Sequence, residues 1–173
     1  MMAPELDRWL ADPALRVRHR RPSDATADAL WRAAREIRLR DTATLGRLVR
    51  WRIPGLTGEL SFDELFRAPP FTILQEGERL LVSGLVGRIW TLRRDYPLLR
   101  DADEFRGWSQ PGTARVLFAN WVADGGLESE TRVQAFGAQG RLGLAAVRPL
   151  VAAFGPLVGS EAIAAAVRRA EGR

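Results

Sequence analysis

Two pairs of strand-like segments, each joined by a short glycine-containing turn, constrain the fold of this chain more than any other feature. The first pair is residues 71–75 and 80–90, and the second is residues 113–122 and 128–136. The two turns are Glu76-Gly77-Glu78 and Ala123-Asp124-Gly125-Gly126. Such turns between apolar runs are typical of β-hairpins. The sequence therefore predicts an antiparallel sheet.

Gly84 and Gly87 interrupt the long strand-like run from Leu80 to Trp90. A glycine inside a strand weakens pairing and marks a bulge, a bend or the close approach of another group. A strongly curved sheet requires such relief, so we expect the sheet to bend along this strand.

The first third of the chain alternates between the two kinds of secondary structure. Residues 14–20 have the period-2 pattern of a half-buried strand, with Leu15 and Val17 on one face. Apolar residues at helical spacing predict a helix over residues 25–39, capped by Pro22-Ser23-Asp24. We expect a further strand over residues 44–53 and a capped helical turn over residues 61–66, the latter ended by prolines.

The last third ends in a long, mainly apolar helical segment. Residues 93–111 break into polar and turn residues, which predicts a long connection without regular structure. After Gly137 to Gly140 the chain becomes helical, and Pro149 and Pro156 predict that this C-terminal helix is kinked or split.

Length and composition exclude several classes of protein. With 173 residues the chain fits one domain, residues 1–173 with a core at about 14–171. It has no cysteine and no lysine, which excludes disulfides, thiolate metal sites and Schiff-base lysine chemistry. No apolar run approaches the roughly 18 residues of a membrane span, and the first residues lack a signal-peptide pattern. We therefore expect a cytoplasmic protein.

Arginine is concentrated in one part of the chain. Residues 32–52 carry seven arginines and two acidic residues, a formal +5 that equals the net charge of the whole chain. Such a patch could bind nucleic acid or an anionic membrane surface. No nucleic-acid-binding motif accompanies it, so we interpret it as a solvated helix face and expect no nucleic-acid partner.

The candidates for catalysis are few. His19 is the single histidine; its neighbours Arg18 and Arg20 favour the neutral imidazole, and its place in the first strand is expected to be solvent-facing and not catalytic. One histidine without cysteine leaves only oxygen ligands for a metal, and the acidic residues 101–104 lack the rest of a calcium loop. We expect no metal and no cofactor, and binding rather than catalysis.

The order of elements, together with three sequence segments, resembles the START-like (SRPBCC, helix-grip) superfamily. These segments are residues 71–90 ending in VGRIW, residues 112–121 (GTARVLFANW) and residues 129–133 (SETRV), and the resemblance extends from about Leu15 to the end. It is a resemblance to bacterial members without assigned function. It implies an α+β fold in which a curved antiparallel sheet wraps around the C-terminal helix. It also implies a cavity between them for a lipid, polyketide or other small apolar partner.

Six residues are candidates for contact with such a ligand. Tryptophan offers a large apolar surface with one polar N–H, and a buried ion pair beside apolar walls marks a functional site. The candidates are Trp90, Tyr96, Trp108, Trp121, Glu130 and Arg132. The tryptophans fit a packed core equally well. Because Val133 and Ala135 share the Thr131 face of their strand, Glu130 and Arg132 are predicted to point away from the helix, into solvent.

Three hypotheses about function follow. The first is a carrier that binds a small apolar ligand between sheet and helix. The second is a polyketide cyclase or dehydratase type of enzyme, in which Tyr96, Glu130 or Arg132 would position a substrate and transfer protons. The third is an interaction module that uses the arginine patch of residues 32–52.

Overall fold

A computed structural model of the chain describes residues 4–44, 46–47, 50, 55, 57–91 and 96–172, excluding the side chains of residues 149–159. The strands in this part of the chain are β1 (Leu15–Pro22), β2 (Thr72–Gly77), β3 (Leu80–Gly87), β4 (Ala114–Ala123) and β5 (Gly126–Ala135). The α-helices with defined bounds are α1 (Ala27–Glu36), α2 (Phe62–Arg67), α3 (Ala102–Gly107) and α4 (Gly137–Ala170). Short 3₁₀ turns occupy Leu6–Arg8 and Leu39–Asp41.

The strands form one open, curved antiparallel sheet in the order β1-β5-β4-β3-β2. Both predicted hairpins are confirmed. β4 and β5 pair from Ala114 opposite Ala135 to Ala123 opposite Gly126, and β2 and β3 meet with Gly77 opposite Leu80. β1 pairs with β5 and forms one edge of the sheet.

Gly84 lies inside β3 because the ring of Phe105 packs against its backbone. A Cβ atom at this position would lie 2.5 Å from Cε2 of Phe105 and 3.0 Å from Cδ1 of Leu74. Of the three roles expected for this glycine, close approach is therefore the one observed. β3 ends at Gly87, so the prediction that the strand continues to Trp90 is wrong.

Different elements pack on the two faces of the sheet. On the face that we call the helix face, Val122 and Leu127 pack with α1 and with Ile163 of α4, and Val116 and Val133 pack with Leu144 of α4. Among the strands, α4 mainly contacts β1 and β5, with α1 beside it. The sheet and the C-terminal helix of the predicted α+β fold are thus present.

The opposite face, the outer face, is covered by the residues before β1 and by α3. Leu6, Trp9, Leu10 and Phe105 are buried against Leu117 and other side chains of β3 and β4. Successive side chains along a strand point to opposite faces of the sheet. Because other elements cover both faces, the strands carry apolar residues on both. The buried core consequently begins before residue 14.

Several predicted boundaries differ from the structure. The N-cap of α1 is Thr26, whose Oγ1 accepts a hydrogen bond from the Ala29 amide at 3.3 Å, and not the predicted Pro22-Ser23-Asp24. Of the predicted strand 44–53, residues 44, 46, 47 and 50 are helical, so the prediction is wrong there; the remaining residues lie outside the described part of the chain.

Two further differences concern the second half of the chain. The predicted irregular connection, 93–111, contains α3, while residues 93–95 lie outside the described part. The helix α4 is continuous from Gly137 to Ala170, so of the two predicted alternatives, kinked or split, the split is wrong. Within the described ranges, none of the helices has the combination of length and apolar content needed to cross a bilayer.

Candidate functional site

A small cavity lies on the helix face, between the sheet and the helices α1, α2 and α4. Its volume is about 50 Å³, and its walls include Trp31, Phe62, Phe66, Leu127 and Ile163. A space of about 10–15 Å³ holds one water molecule, whereas typical ligand pockets have volumes of about 300–1,000 Å³. The cavity can therefore hold a small apolar group.

The aromatic wall of this cavity is set by the start of α2. Ser61 Oγ accepts a hydrogen bond from the Glu64 amide at 3.2 Å, and Glu64 Oε2 accepts one from the Ser61 amide at 2.8 Å. This capping box fixes the first turn, so Phe62 and Phe66, four residues apart, project from the same side of the helix. The Phe66 ring packs against Phe118 of β4, with ring centres 5.4 Å apart.

Asn120 of β4 brings a polar group to this apolar cavity. It lines the cavity beside Leu81 and Leu127, and no described contact gives its side chain a hydrogen-bond partner. In the sheet, Asn120 lies opposite Ser129, which lies opposite His19. A short polar row thus crosses the helix face at this level.

The structure corrects the expected position of His19. Its Nε2 atom is buried and has no hydrogen-bond partner among the described residues. Burial lowers the pKa of His19, which favours the neutral imidazole at neutral pH. The prediction of a solvent-facing side chain is therefore wrong.

A charged groove of about 720 Å³ adjoins the cavity on the protein surface. Trp31, Arg35 and Asp63 line both the cavity and the groove, so the two spaces are neighbours. Arg35 donates two hydrogen bonds to Asp63, at 3.2 and 3.3 Å, and Arg67 donates one at 2.9 Å. Arg32 also lines the groove.

Two arginines hold Asp63 in its ionised form. Burial acts to raise its pKa, but the hydrogen bonds and charges of Arg67 and Arg35 outweigh burial and lower it. An ionised carboxylate that already accepts three hydrogen bonds is a poor proton donor and a weak base. Its arrangement suits positioning better than proton transfer.

Three arginines of the patch predicted from residues 32–52 form ion pairs in the structure. Glu59 lies 2.6 Å from Arg38 and also pairs with Arg40, while Asp63 pairs with Arg35. These carboxylates follow the arginines in sequence by about 20 residues or more, so a local charge count misses them. The net charge of the patch at Arg35, Arg38 and Arg40 is therefore lower in space than the sequence count suggests.

The predicted pair Glu130 and Arg132 lies on the outer face. The predicted direction, away from the C-terminal helix, is confirmed, since both alternate with the residues that face α4. The predicted exposure is wrong, because Glu130 is 2% and Arg132 4% exposed. Residues 4–10 cover the pair where solvent was expected.

A network of hydrogen bonds satisfies these buried charges. Arg132 Nε lies 2.6 Å from Glu130 Oε1, and Arg132 also donates to the Leu10 carbonyl at 2.7 Å and to Asp7. Arg16 Nε lies 2.8 Å from Glu130 Oε1. Burial acts to raise the pKa of Glu130, but these arginines outweigh it and lower the pKa. The network fixes the N-terminal residues to the sheet.

The other predicted ligand contacts fall in two separate places. Trp90 packs on α4, where a Cβ at Gly143 would lie 2.4 Å from its indole, and Tyr96 joins the same apolar cluster. Trp108 and Trp121 belong to the outer-face cluster, and Trp108 Nε1 donates to Thr113 Oγ1 at 2.9 Å. None of the six predicted residues lines the helix-face cavity.

Sequence reasoning missed the residues that do surround the cavity. The sequence patterns place Trp31 only in an amphipathic helix and Arg35 only in a basic patch. The signal that could identify the site is Asn120, a polar residue on a strand face that otherwise carries Val116, Phe118 and Val122. Polar residues at such positions need a partner or a function.

No protein-family model matches the chain, and neither a curated protein nor a solved structure is significantly similar to it. In the described part of the chain, no group of three or more histidine or acidic side chains is placed to hold a metal ion. The site must therefore be interpreted from its own geometry.

Proposed function

We propose that the protein binds a small, mainly apolar molecule in the helix-face cavity, and that its fold is of the START-like, helix-grip type. The observation that carries the binding proposal is an apolar cavity with the half-buried amide of Asn120 in its wall. The antiparallel sheet and the C-terminal helix beside this cavity support the fold proposal.

The chemistry of the cavity indicates what kind of group enters it. Burial of each CH₂ group stabilises a complex by about 0.8 kcal/mol, so apolar walls favour an alkyl or aryl end. The Asn120 amide both donates and accepts hydrogen bonds, which suits a ligand with one amide, carbonyl or hydroxyl group. Because the cavity holds only a small group, the rest of the ligand extends into the groove.

Catalysis has less support than binding. Tyr96 lies in the cluster with Trp90, whereas Glu130 and Arg132 lie on the outer face, so the three predicted catalytic side chains do not converge. The titratable groups at the cavity, Arg35 and Asp63, already bind each other. A binding protein is therefore the function that this geometry favours.

A series of linear amides from butanamide to octanamide tests the proposal by isothermal titration calorimetry. Affinity should increase about fourfold per added CH₂ group until the cavity is filled, and then level off. Ala34→Leu adds a larger side chain to the cavity wall, so it should weaken binding of the whole series.

Ala146→Leu is the matched control, because Ala146 is an exposed helical alanine in α4. It should leave the affinities unchanged. Absence of binding at millimolar amide, or equal binding by the Ala34→Leu variant, would show that the cavity is not a ligand site.

A further inference from the structure

Resting on this proposed function, we infer that the ligand is an amphipathic carboxylate. Its apolar end fills the helix-face cavity, and its carboxylate lies in the groove between Arg32 and Arg35. Trp31, Arg35 and Asp63 line both spaces, so the charged groove lies directly beside the apolar cavity.

Arg35 is the arginine best placed to exchange its present partner for a ligand. Its hydrogen bonds to Asp63 are 3.2 and 3.3 Å long, whereas charge-assisted bonds are usually about 2.7–2.9 Å. Asp63 is held at 2.9 Å by Arg67, so it keeps a partner when Arg35 turns to a ligand. The two bonds to Asp63 also show that this guanidinium accommodates a carboxylate with two donors.

Arg32 supplies the second cation. It is exposed, lines the groove, and has no ion-pair partner among the described residues. Arg32 and Arg35 are three residues apart in α1, so their side chains leave the same side of the helix. Two like charges at this spacing repel each other, and an anion between them relieves the repulsion.

Four of the five carboxylates that line the groove are paired with arginines, whereas Glu64 is bonded only to the neutral groups of Ser61 and keeps its charge. Glu36 lies 2.9 Å from Arg169, and Asp28 lies 2.9 Å from Arg79. Glu59 pairs with two arginines, and Glu64 accepts hydrogen bonds from the backbone and side chain of Ser61. Among the described arginines that line the groove, Arg32 is the one without an ion-pair partner, and we assign the selection of the ligand's charge to it.

The experiment compares hexanoate with hexanamide, which has the same carbon chain and no charge, by calorimetry at pH 7. An exposed ion pair changes affinity by up to about fivefold, and the bonds that Arg35 makes to the ligand replace those it makes to Asp63, so Arg32 should favour hexanoate by up to about fivefold. Arg32→Gln should remove this preference without altering hexanamide affinity. Arg141→Gln replaces an exposed arginine at the other end of α4 and should change neither affinity.

Raising the salt concentration should weaken binding of hexanoate and leave hexanamide unaffected. Equal affinities for the two probes, or an unchanged preference in the Arg32→Gln variant, would overturn the assignment of a carboxylate while the proposed cavity site stands. Failure of both probes to bind would instead reject the proposed function itself, and the inference with it.

Discussion

Replacement of Arg132 by methionine tests whether the buried ion pair of the outer face stabilises the fold. Methionine keeps an unbranched side chain of similar length but removes the charge and every hydrogen bond that Arg132 donates. Glu130, 2% exposed, would retain only Arg16, and the Leu10 carbonyl would lose its donor at 2.7 Å. The substitution therefore leaves the buried Glu130 carboxylate with one of its two arginine partners.

The expected loss follows from the cost of an uncompensated buried charge. Removing one member of a buried pair costs about 3–5 kcal/mol. For a chain of this size each kcal/mol lowers Tm by about 2–4 °C, so Tm should fall by about 6–20 °C. Thermal and urea unfolding followed by circular dichroism measure the change. The same substitution at Arg20, which is half exposed and 3.8 Å from Glu128, should cost at most about 1 kcal/mol.

The double variant Glu130→Leu with Arg132→Met separates charge burial from packing. Apolar replacement of both members of a buried pair is often neutral, so the double variant should be more stable than Arg132→Met alone. The reasoning is refuted if Arg132→Met costs no more than Arg20→Met, or if the losses of the two single variants simply add.

Two further predictions concern packing and pH. Gly84→Ala places a Cβ 2.5 Å from the Phe105 ring, so the free energy of unfolding measured in urea should fall by about 1–3 kcal/mol. Phe105→Leu should restore part of this loss, and a loss below about 0.5 kcal/mol would contradict the close approach. Because the folded-state pKa of Glu130 lies below its unfolded value, its contribution to stability is present above about pH 4.3 and is lost as the pH falls through the folded pKa. Glu130→Gln should therefore lose less stability than the wild type between about pH 5 and pH 3, and parallel pH profiles would contradict this.

The sheet could be predicted from sequence because its signals are local. Alternation of apolar side chains and glycine-containing turns define β4, β5 and the β2–β3 hairpin without knowledge of the rest of the chain. The same alternation gave the direction of Glu130 from its neighbour Val133. Each of these inferences needs only residues within one hairpin.

The burial of Glu130 could not be predicted in this way, because its cover comes from far along the chain. Residues 4–10 and the six-residue helix α3 are too short for a periodic pattern, yet they cover the outer face. The cavity has the same origin, since Trp31, Phe62, Asn120 and Ile163 meet only in the folded chain. Charge neutralisation of Arg35 by Asp63 likewise depends on contact between two helices.

The cover of the outer face by residues 4–10 has a consequence for solubility. A chain shortened to begin at residue 14 would lose Leu6, Trp9 and Leu10, and it would expose Leu117, Ala119 and Trp121 of the central strand β4. An apolar surface of this kind promotes self-association. Residues 4–10, which contain no strand of their own, thereby shield apolar side chains of the sheet from contact with other molecules.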